Sequence, residues 1–180
     1  MTLRPYQQAA VDAAVEWMRK SLAPACIEAA TGAGKSHIIA EIARQIHHQT
    51  SKRVLCLAPS AELVVQNHGK YLASGHRSSM FSASAGAKEL RYSVVFGSPL
   101  TVKNRISAFK RAGADGYALV VIDEAHGITP TVQGIVADMR QGNPNLRVLG
   151  LTATPYRLGS GWIFREHADG KINGEDTARD

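Results

Sequence analysis

The run Ala29-Ala30-Thr31-Gly32-Ala33-Gly34-Lys35-Ser36 decides the fold of this chain. Glycines let a backbone wrap around phosphate oxygens without Cβ clashes, and the following amides open a helix whose positive end faces the anion. Lys35 supplies a point charge for the outer phosphates, and Ser36 supplies a hydroxyl for Mg²⁺. The run therefore predicts a phosphate-binding loop over Thr31, Gly32, Ala33, Gly34, Lys35 and Ser36, although Ala29 replaces the first glycine of the simplest pattern.

The sequence on either side of this loop has the expected pattern. Residues 24–28 form a short strand-like run before it, and residues 36–43 carry apolar side chains at helical spacing after it. A phosphate-binding loop lies between a strand and a helix. The flanking sequence therefore favours a phosphate loop over a chance glycine-rich turn.

A second motif, Asp123-Glu124-Ala125-His126, directly follows the apolar run 117–122. A buried strand that ends in two acids places them at the rim of a sheet, near the phosphate loop. We expect Asp123 to hold Mg²⁺, through water, and Glu124 to orient or deprotonate the attacking water. His126 is expected to link this site to neighbouring elements. The alternative is an ordinary acidic helix cap, and the upstream phosphate loop disfavours it.

Short apolar runs recur along the chain and alternate with amphipathic stretches. The predicted strands are 24–28, 53–58, 79–82, 92–96, 118–122 and 147–151, and the predicted helices are 5–20, 35–48, 60–73, 99–111 and 129–140. This alternation is typical of an α/β three-layer sandwich with a mostly parallel sheet. In such sheets the ligand lies beyond the carboxyl ends of the strands, where both motifs begin.

Composition narrows the class of protein. Hydrophobic residues make up 44% of the 180 residues and charged residues 20%, as in ordinary soluble globular proteins. No apolar run approaches the roughly 18 residues of a membrane span, so we expect no membrane partner and a cytoplasmic location. Cys26 and Cys56 lie in apolar runs and are interpreted as core residues. The net charge of +6 is compatible with a polyanionic partner without demanding one.

Five ordered segments resemble the DEAD/DEAH-box superfamily 2 helicases. They are Leu3-Arg4-Pro5-Tyr6-Gln7, Ala29 to Ser36, Ala58-Pro59-Ser60-Ala61-Glu62-Leu63 with Gln66, Asp123-Glu124-Ala125-His126, and Leu151-Thr152-Ala153-Thr154-Pro155. The resemblance implies a RecA-like P-loop fold that uses ATP and Mg²⁺. It also implies that Gln7 reads the adenine edge with Arg4 or Tyr6 near the ring, and that Thr152 and Thr154 couple hydrolysis to nucleic-acid binding. Alanine is usual at the first position of the phosphate loop in these helicases.

Other segments resemble the bacterial RadD-type DNA-repair helicases more closely. They are Leu3 to Gln8, Gln66-Asn67-His68, Val95-Phe96-Gly97-Ser98 and Leu149 to Trp162. Another bacterial DNA helicase or a restriction-type translocase is the alternative. Ala125 and the run Pro59-Ser60-Ala61 depart from the RadD-type pattern without removing a catalytic group.

The resemblance also implies a second RecA-like lobe, which supplies an arginine finger across the ATP cleft. Such a lobe needs on the order of 100–150 residues. We therefore expect a RecA-like first lobe over residues 1–158, a polar tail over 159–180, and a second lobe supplied in cis or in trans. Because an arginine finger accelerates related reactions by roughly 10³ to 10⁵, we expect little hydrolysis by this lobe alone.

The resemblance implies contacts with the phosphates of single-stranded or branched DNA. The matching residues are Pro59, Ser60, Leu63, Gly97, Ser98 and Thr101. Backbone amides and hydroxyls at such positions bind phosphates without reading sequence. Lys103, Arg105, Lys110 and Arg111 could add electrostatic attraction, or they could be the solvated face of the helix predicted at 99–111.

Two other functions remain open on sequence alone. The same phosphate loop and acids would serve a nucleotide-dependent regulatory module without motor work. A small-molecule kinase or GTPase is disfavoured, because Gln7 and the run Thr152 to Pro155 have no reason to occur together there, and no guanine-reading Asn-Lys-x-Asp run is present.

Overall fold

A computed structural model describes residues 2–154 and the backbone of four two-residue strands at 156–157, 161–162, 165–166 and 172–173. The tail predicted at 159–180 therefore lies largely outside the described residues, and so does Pro155. In the described part, no helix is long and apolar enough to cross a membrane.

The described main body is a seven-stranded sheet covered by helices. Its strands are β1 (Ala25–Glu28), β2 (Arg53–Leu57), β3 (Ser79–Ser82), β4 (Ala87–Lys88), β5 (Val94–Gly97), β6 (Tyr117–Asp123) and β7 (Arg147–Thr152). The helices are α1 (Pro5–Lys20), α2 (Lys35–Thr50), α3 (Ala61–Ala73), α4 (Pro99–Lys103) and α5 (Pro130–Gly142). The strand order is β1-β7-β6-β2-β5-β3-β4, and every neighbouring pair is parallel except β3 with β4.

The apolar strands divide their side chains between the two faces of the sheet. In β6, Leu119 and Val121 pack under α1, α2 and α3, whereas Val120 and Ile122 pack under α4 and α5. Successive side chains of a strand point to opposite faces, so a strand covered on both sides must be apolar throughout. The predicted three-layer α/β architecture is confirmed.

The helix predicted at 99–111 is wrong. Only Pro99–Lys103 is α-helical, and a separate 3₁₀ turn spans Ile106–Phe109. Phe109 is anchored between the rings of Phe81 and Tyr117, with centroid distances of 5.2 and 5.6 Å. Local spacing cannot show such a contact between distant residues, because it depends on how the strands are arranged.

Candidate functional site

The phosphate loop and the acidic motif follow strands that lie close together in the sheet. β1 precedes the loop, β6 ends at Asp123, and β7 lies between them and ends at Thr152. Because parallel strands end at the same edge, the two motifs meet beyond their carboxyl ends. The amide of Ala29 donates to the carbonyl of Thr152 at 2.9 Å, which joins the start of the loop to β7.

The phosphate loop uses its two glycines for left-handed turns. Gly32 and Gly34 have φ values of 81° and 78°, a region that favours glycine. Gly34 also lies in close contact with α1, because a Cβ atom there would approach Nε2 of Gln7 to 2.4 Å. The loop ends where α2 begins at Lys35, so an anion held in front of the loop would lie at the N-terminus of that helix.

Lys35 contacts the acidic motif directly. Its Nζ atom lies 2.6 Å from Oε1 of Glu124, and the two side chains are 13% and 24% exposed. A lysine held in a half-buried site with one carboxylate partner can exchange that partner for an anionic ligand. The structure therefore brings together the cation and the carboxylate that the sequence assigned to phosphate and to water.

The carboxylate of Asp123 is held from two sides. Its Oδ1 accepts the backbone amide of Glu124, and its Oδ2 accepts Nδ2 of Asn67, both at 2.9 Å. Burial raises the pKa of Asp123, and the hydrogen bond from Asn67 acts in the opposite direction. Glu124 adopts a left-handed backbone with φ 53° and ψ 51°, a conformation that is uncommon outside glycine and is often found at functional sites.

The residues present fit a magnesium ion. Ser36 is buried at the start of α2 and offers a hydroxyl, and Asp123 offers a carboxylate. Mg²⁺ prefers such oxygen ligands and is usually bound by one or two protein groups together with substrate phosphates and water. These oxygen donors suit Mg²⁺, and the assignment of Ser36 and Asp123 as its ligands stays a prediction.

His126 connects the acidic motif to β7. Its Nδ1 lies 3.0 Å from the hydroxyl of Thr152 and 3.2 Å from Oε2 of Glu124. The hydroxyl of Thr152 in turn accepts the backbone amide of Thr154 at 3.1 Å. His126 thus lies between Glu124 and the segment predicted to couple hydrolysis to nucleic-acid binding.

Helix α1 contacts the phosphate loop through two side chains. The hydroxyl of Tyr6 and Nε2 of Gln7 both donate to the carbonyl oxygen of Ala33 at 2.8 Å. Oε1 of Gln7 accepts the backbone amide of Arg4 at 2.9 Å. Gln7 is buried, and both ends of its amide are engaged within the protein. The structure thus gives Gln7 a role that the sequence did not suggest, namely holding the phosphate loop; its role in reading adenine stays a prediction.

The residues predicted to contact nucleic acid are divided between surface and interior. Pro59 and Ser60 are exposed, Leu63 and Ser98 are half-buried, and Gly97 and Thr101 are buried. The hydroxyl of Thr101 accepts the amide of Ala83 at 3.0 Å and the hydroxyl of Ser98 at 2.9 Å, so its side chain shapes the loop from inside.

These segments border one cavity beside the acidic motif. The cavity has a volume of about 430 Å³, and its lining includes Pro59, Ser98, Thr101, Asp123 and Glu124. The two acids of the candidate nucleotide site therefore line the same cavity as three of the residues predicted to contact nucleic acid.

Of the basic residues considered for nucleic-acid attraction, two are paired. Lys103 lies 2.9 Å from Asp138, and Arg111 is paired with Asp115. Their charges are partly balanced within the protein, which weakens the electrostatic contribution expected from this segment.

Sequence reasoning missed Asn67 as a site residue. Asn67 is buried on α3 together with Val64 and Tyr71, so a polar side chain occupies a position at core spacing. The spacing of Asn67 with apolar residues could have identified it as a candidate, because a polar group on the buried face of a helix needs a hydrogen-bond partner.

A family model described as "Type III restriction enzyme, res subunit" matches residues 1–157. The genome polyprotein of classical swine fever virus (strain Alfort/Tuebingen) is 31% identical in an alignment 140 residues long, and the alignment covers 72% of this chain and 3% of the polyprotein. The chain thus spans a small part of that relative.

Solved structures share the fold. The UvsW helicase of bacteriophage T4 aligns with a TM-score of 0.68 and 20% identity over 86% of this chain and 53% of its own. The Type ISP restriction-modification enzyme LlaGI, solved in complex with a DNA substrate mimic, aligns with a TM-score of 0.67 and 17% identity over 87% of this chain and 18% of its own. The RecA-like helicase-domain fold expected from the resemblance is confirmed.

Proposed function

We propose that this chain, which belongs to the family of the type III restriction enzyme res subunit, is the ATP-binding first lobe of a DNA helicase or translocase. The observation that carries the proposal is the ion pair between Lys35 and Glu124, which lies beside the buried, hydrogen-bonded Asp123. A phosphate loop, a half-buried lysine and two acids at one sheet edge are the parts that phosphoryl transfer from ATP requires.

Each residue has a distinct task in this proposal. The amides of the phosphate loop and Lys35 bind the phosphates, and Lys35 leaves Glu124 when they arrive. The freed carboxylate of Glu124 then orients the attacking water and accepts its proton. Ser36 and Asp123 would hold Mg²⁺, which would supply positive charge to neutralise the phosphates.

The link to nucleic acid is proposed through the shared cavity. Pro59 and Ser98 line this cavity together with Glu124. A nucleic-acid strand bound along Pro59 and Ser98 would therefore lie next to the residue that activates water. His126 and Thr152 provide a second connection to Glu124. A DNA partner is supported by the DNA-bound LlaGI, which shares this fold.

A second RecA-like lobe, in cis or in trans, completes the proposed motor. The chain spans 53% of UvsW and 18% of LlaGI, which leaves room in both for further lobes. Without an arginine finger from that lobe, hydrolysis should be slower by roughly 10³ to 10⁵.

The steady-state rate of ATP hydrolysis, with and without single-stranded DNA or RNA, tests the proposal, with Lys35→Ala as the blank. We expect ATP binding that depends on Lys35, and hydrolysis near the blank until a second lobe is added. A high rate without a second lobe would contradict the half-motor interpretation. Binding and turnover that respond to a protein partner and to neither nucleic acid would favour a regulatory module.

A further inference from the structure

Helix α3 sends two adjacent amide side chains into the candidate site. Nε2 of Gln66 donates to the hydroxyl of Ser36 at 3.1 Å, and Nδ2 of Asn67 donates to Oδ2 of Asp123 at 2.9 Å. Ser36 lies in the first turn of α2, directly after the phosphate loop, and Asp123 lies at the end of β6. One dipeptide therefore contacts both residues that the proposed function assigns to the metal.

Asn67 lies at a position that otherwise suits an apolar side chain. It is 2% exposed, and Asp123 is 4% exposed. In the part of the chain that the structure describes, the amide oxygen of Asn67 has no hydrogen-bond partner. A buried amide with one group unpaired costs free energy that a leucine would avoid. The hydrogen bond to Asp123 is the gain that offsets this cost.

The carboxylate of Asp123 cannot rotate freely between its two donors. The backbone amide of Glu124 fixes Oδ1, and Asn67 fixes Oδ2. Each carboxylate oxygen keeps a lone pair that is not used by these bonds. The plane of the carboxylate is therefore set before any ligand arrives.

Gln66 restricts the orientation of the Ser36 hydroxyl in a similar way. A serine hydroxyl has one hydrogen and two lone pairs, and it can rotate about its Cβ–Oγ bond. When Gln66 donates to one lone pair, the other lone pair and the hydrogen are confined to the remaining directions.

We propose that Gln66 and Asn67 are positioning residues that orient the oxygen atoms of Ser36 and Asp123 for Mg²⁺. The proposal rests on the proposed function, in which Ser36 and Asp123 hold the ion. Groups that hydrogen-bond to metal ligands orient those ligands, and their loss typically lowers metal affinity by about 10- to 100-fold.

The test is the affinity for a fluorescent ADP analogue, measured once with Mg²⁺ and once with EDTA. The ratio of the two dissociation constants reports how strongly the protein couples nucleotide to metal. For Gln66→Leu and Asn67→Leu we expect the ratio to fall about tenfold, while the dissociation constant in EDTA stays within about twofold of wild type. Gln133→Leu, an exposed glutamine on α5, is the matched control and should keep the wild-type ratio.

Thermal unfolding separates positioning from folding. Gln66 is exposed, so Gln66→Leu should keep the wild-type melting temperature and decide the role of Gln66 even if Asn67→Leu unfolds. Wild-type coupling in folded Gln66→Leu would overturn the role of Gln66, and the same result in folded Asn67→Leu would overturn that of Asn67. Absence of nucleotide binding by the wild type in both conditions would instead overturn the proposed function, and this proposal with it.

Discussion

Lys35 and Glu124 hold each other in a half-buried ion pair at the point where ATP phosphates are expected. The two side chains are 13% and 24% exposed, so each charge has lost much of its water and depends on the other. In the proposed mechanism, entry of a nucleotide would replace Glu124 by a phosphate as the anionic partner of Lys35. The same step would release Glu124 to act on water.

At this residue scale, Glu124→Gln separates binding from hydrolysis. The substitution removes the negative charge that competes with phosphate for Lys35, so we expect ADP affinity to be retained or increased severalfold. It also removes the general base, so ATP hydrolysis in the presence of a second lobe should fall by at least about 100-fold. Isothermal titration calorimetry and a phosphate-release assay measure the two effects.

A surface ion pair of the same chemistry gives the control. Glu16 pairs with Lys20 at 2.5 Å on the exposed face of α1, and Glu16→Gln should change neither ADP affinity nor ATP hydrolysis. Weaker ADP binding by Glu124→Gln, with Glu16→Gln unaffected, would contradict the view that Glu124 competes with phosphate.

At the scale of elements, α1 fastens the phosphate loop. Gln7 is buried and bridges the amide of Arg4 to the carbonyl of Ala33, and Tyr6 donates to the same carbonyl. The bond to Ala33 joins positions 26 residues apart, so the start of the chain helps to fix the shape of the loop.

Gln7→Ala should loosen the phosphate loop. Loss of the side chain leaves the Arg4 amide without its partner and removes one of two donors to Ala33, so we expect ADP affinity to fall about tenfold and the free energy of unfolding to fall by about 1–3 kcal/mol. Fluorescence titration and urea unfolding measure these changes. The neighbouring Gln8 is exposed and bonds to Asp12 within α1, so Gln8→Ala should leave both values near wild type. Equal effects of the two substitutions would refute a specific role for Gln7.

The sequence predicted elements well where local pattern and burial agree. The helix at 5–20 and the strand at 79–82 were predicted with the bounds that the structure shows. The helix at 99–111 failed because Phe109 is held by Phe81 and Tyr117, which belong to distant strands. The core spacing of Asn67 signals that its side chain needs a partner, but the identity of that partner could not be predicted. The contacts of Gln7 and Asn67 depend on how α1 and α3 are rotated against the sheet.

At the scale of the whole described body, strands β2, β5, β6 and β7 of the sheet are almost completely buried. Cys56 in β2 is 3% exposed, and Cys26 in the edge strand β1 is half-buried. Burial raises the pKa of both thiols, that of Cys26 to about 12. Because the thiolate is the reactive form, both residues should react slowly while the protein is folded.

Thiol modification therefore reports on global unfolding. At pH 8 we expect both cysteines to react with a disulfide reagent at least about 100-fold more slowly in the folded protein than in urea. The raised thiol pKa values also mean that the unfolded chain loses protons first as the pH rises. The free energy of unfolding should therefore be independent of these two thiols well below about pH 8.5 and should decrease as the pH rises above that value. Rapid labelling of Cys56 in the folded protein would show that β2 is not sealed.

The central claim is that Lys35 exchanges Glu124 for the phosphates of a nucleotide. Its most direct measurement is the shift in melting temperature caused by Mg·ADP at about 100 times the dissociation constant of the wild type. The same concentration is used for wild type, Lys35→Ala and the surface control Lys20→Ala. A ligand at that excess stabilises a protein by about 2.7 kcal/mol, which for a chain of this size corresponds to about 5–10 °C. We predict this shift for wild type and Lys20→Ala and its loss in folded Lys35→Ala. An undiminished shift in Lys35→Ala, or none in wild type, would contradict the claim.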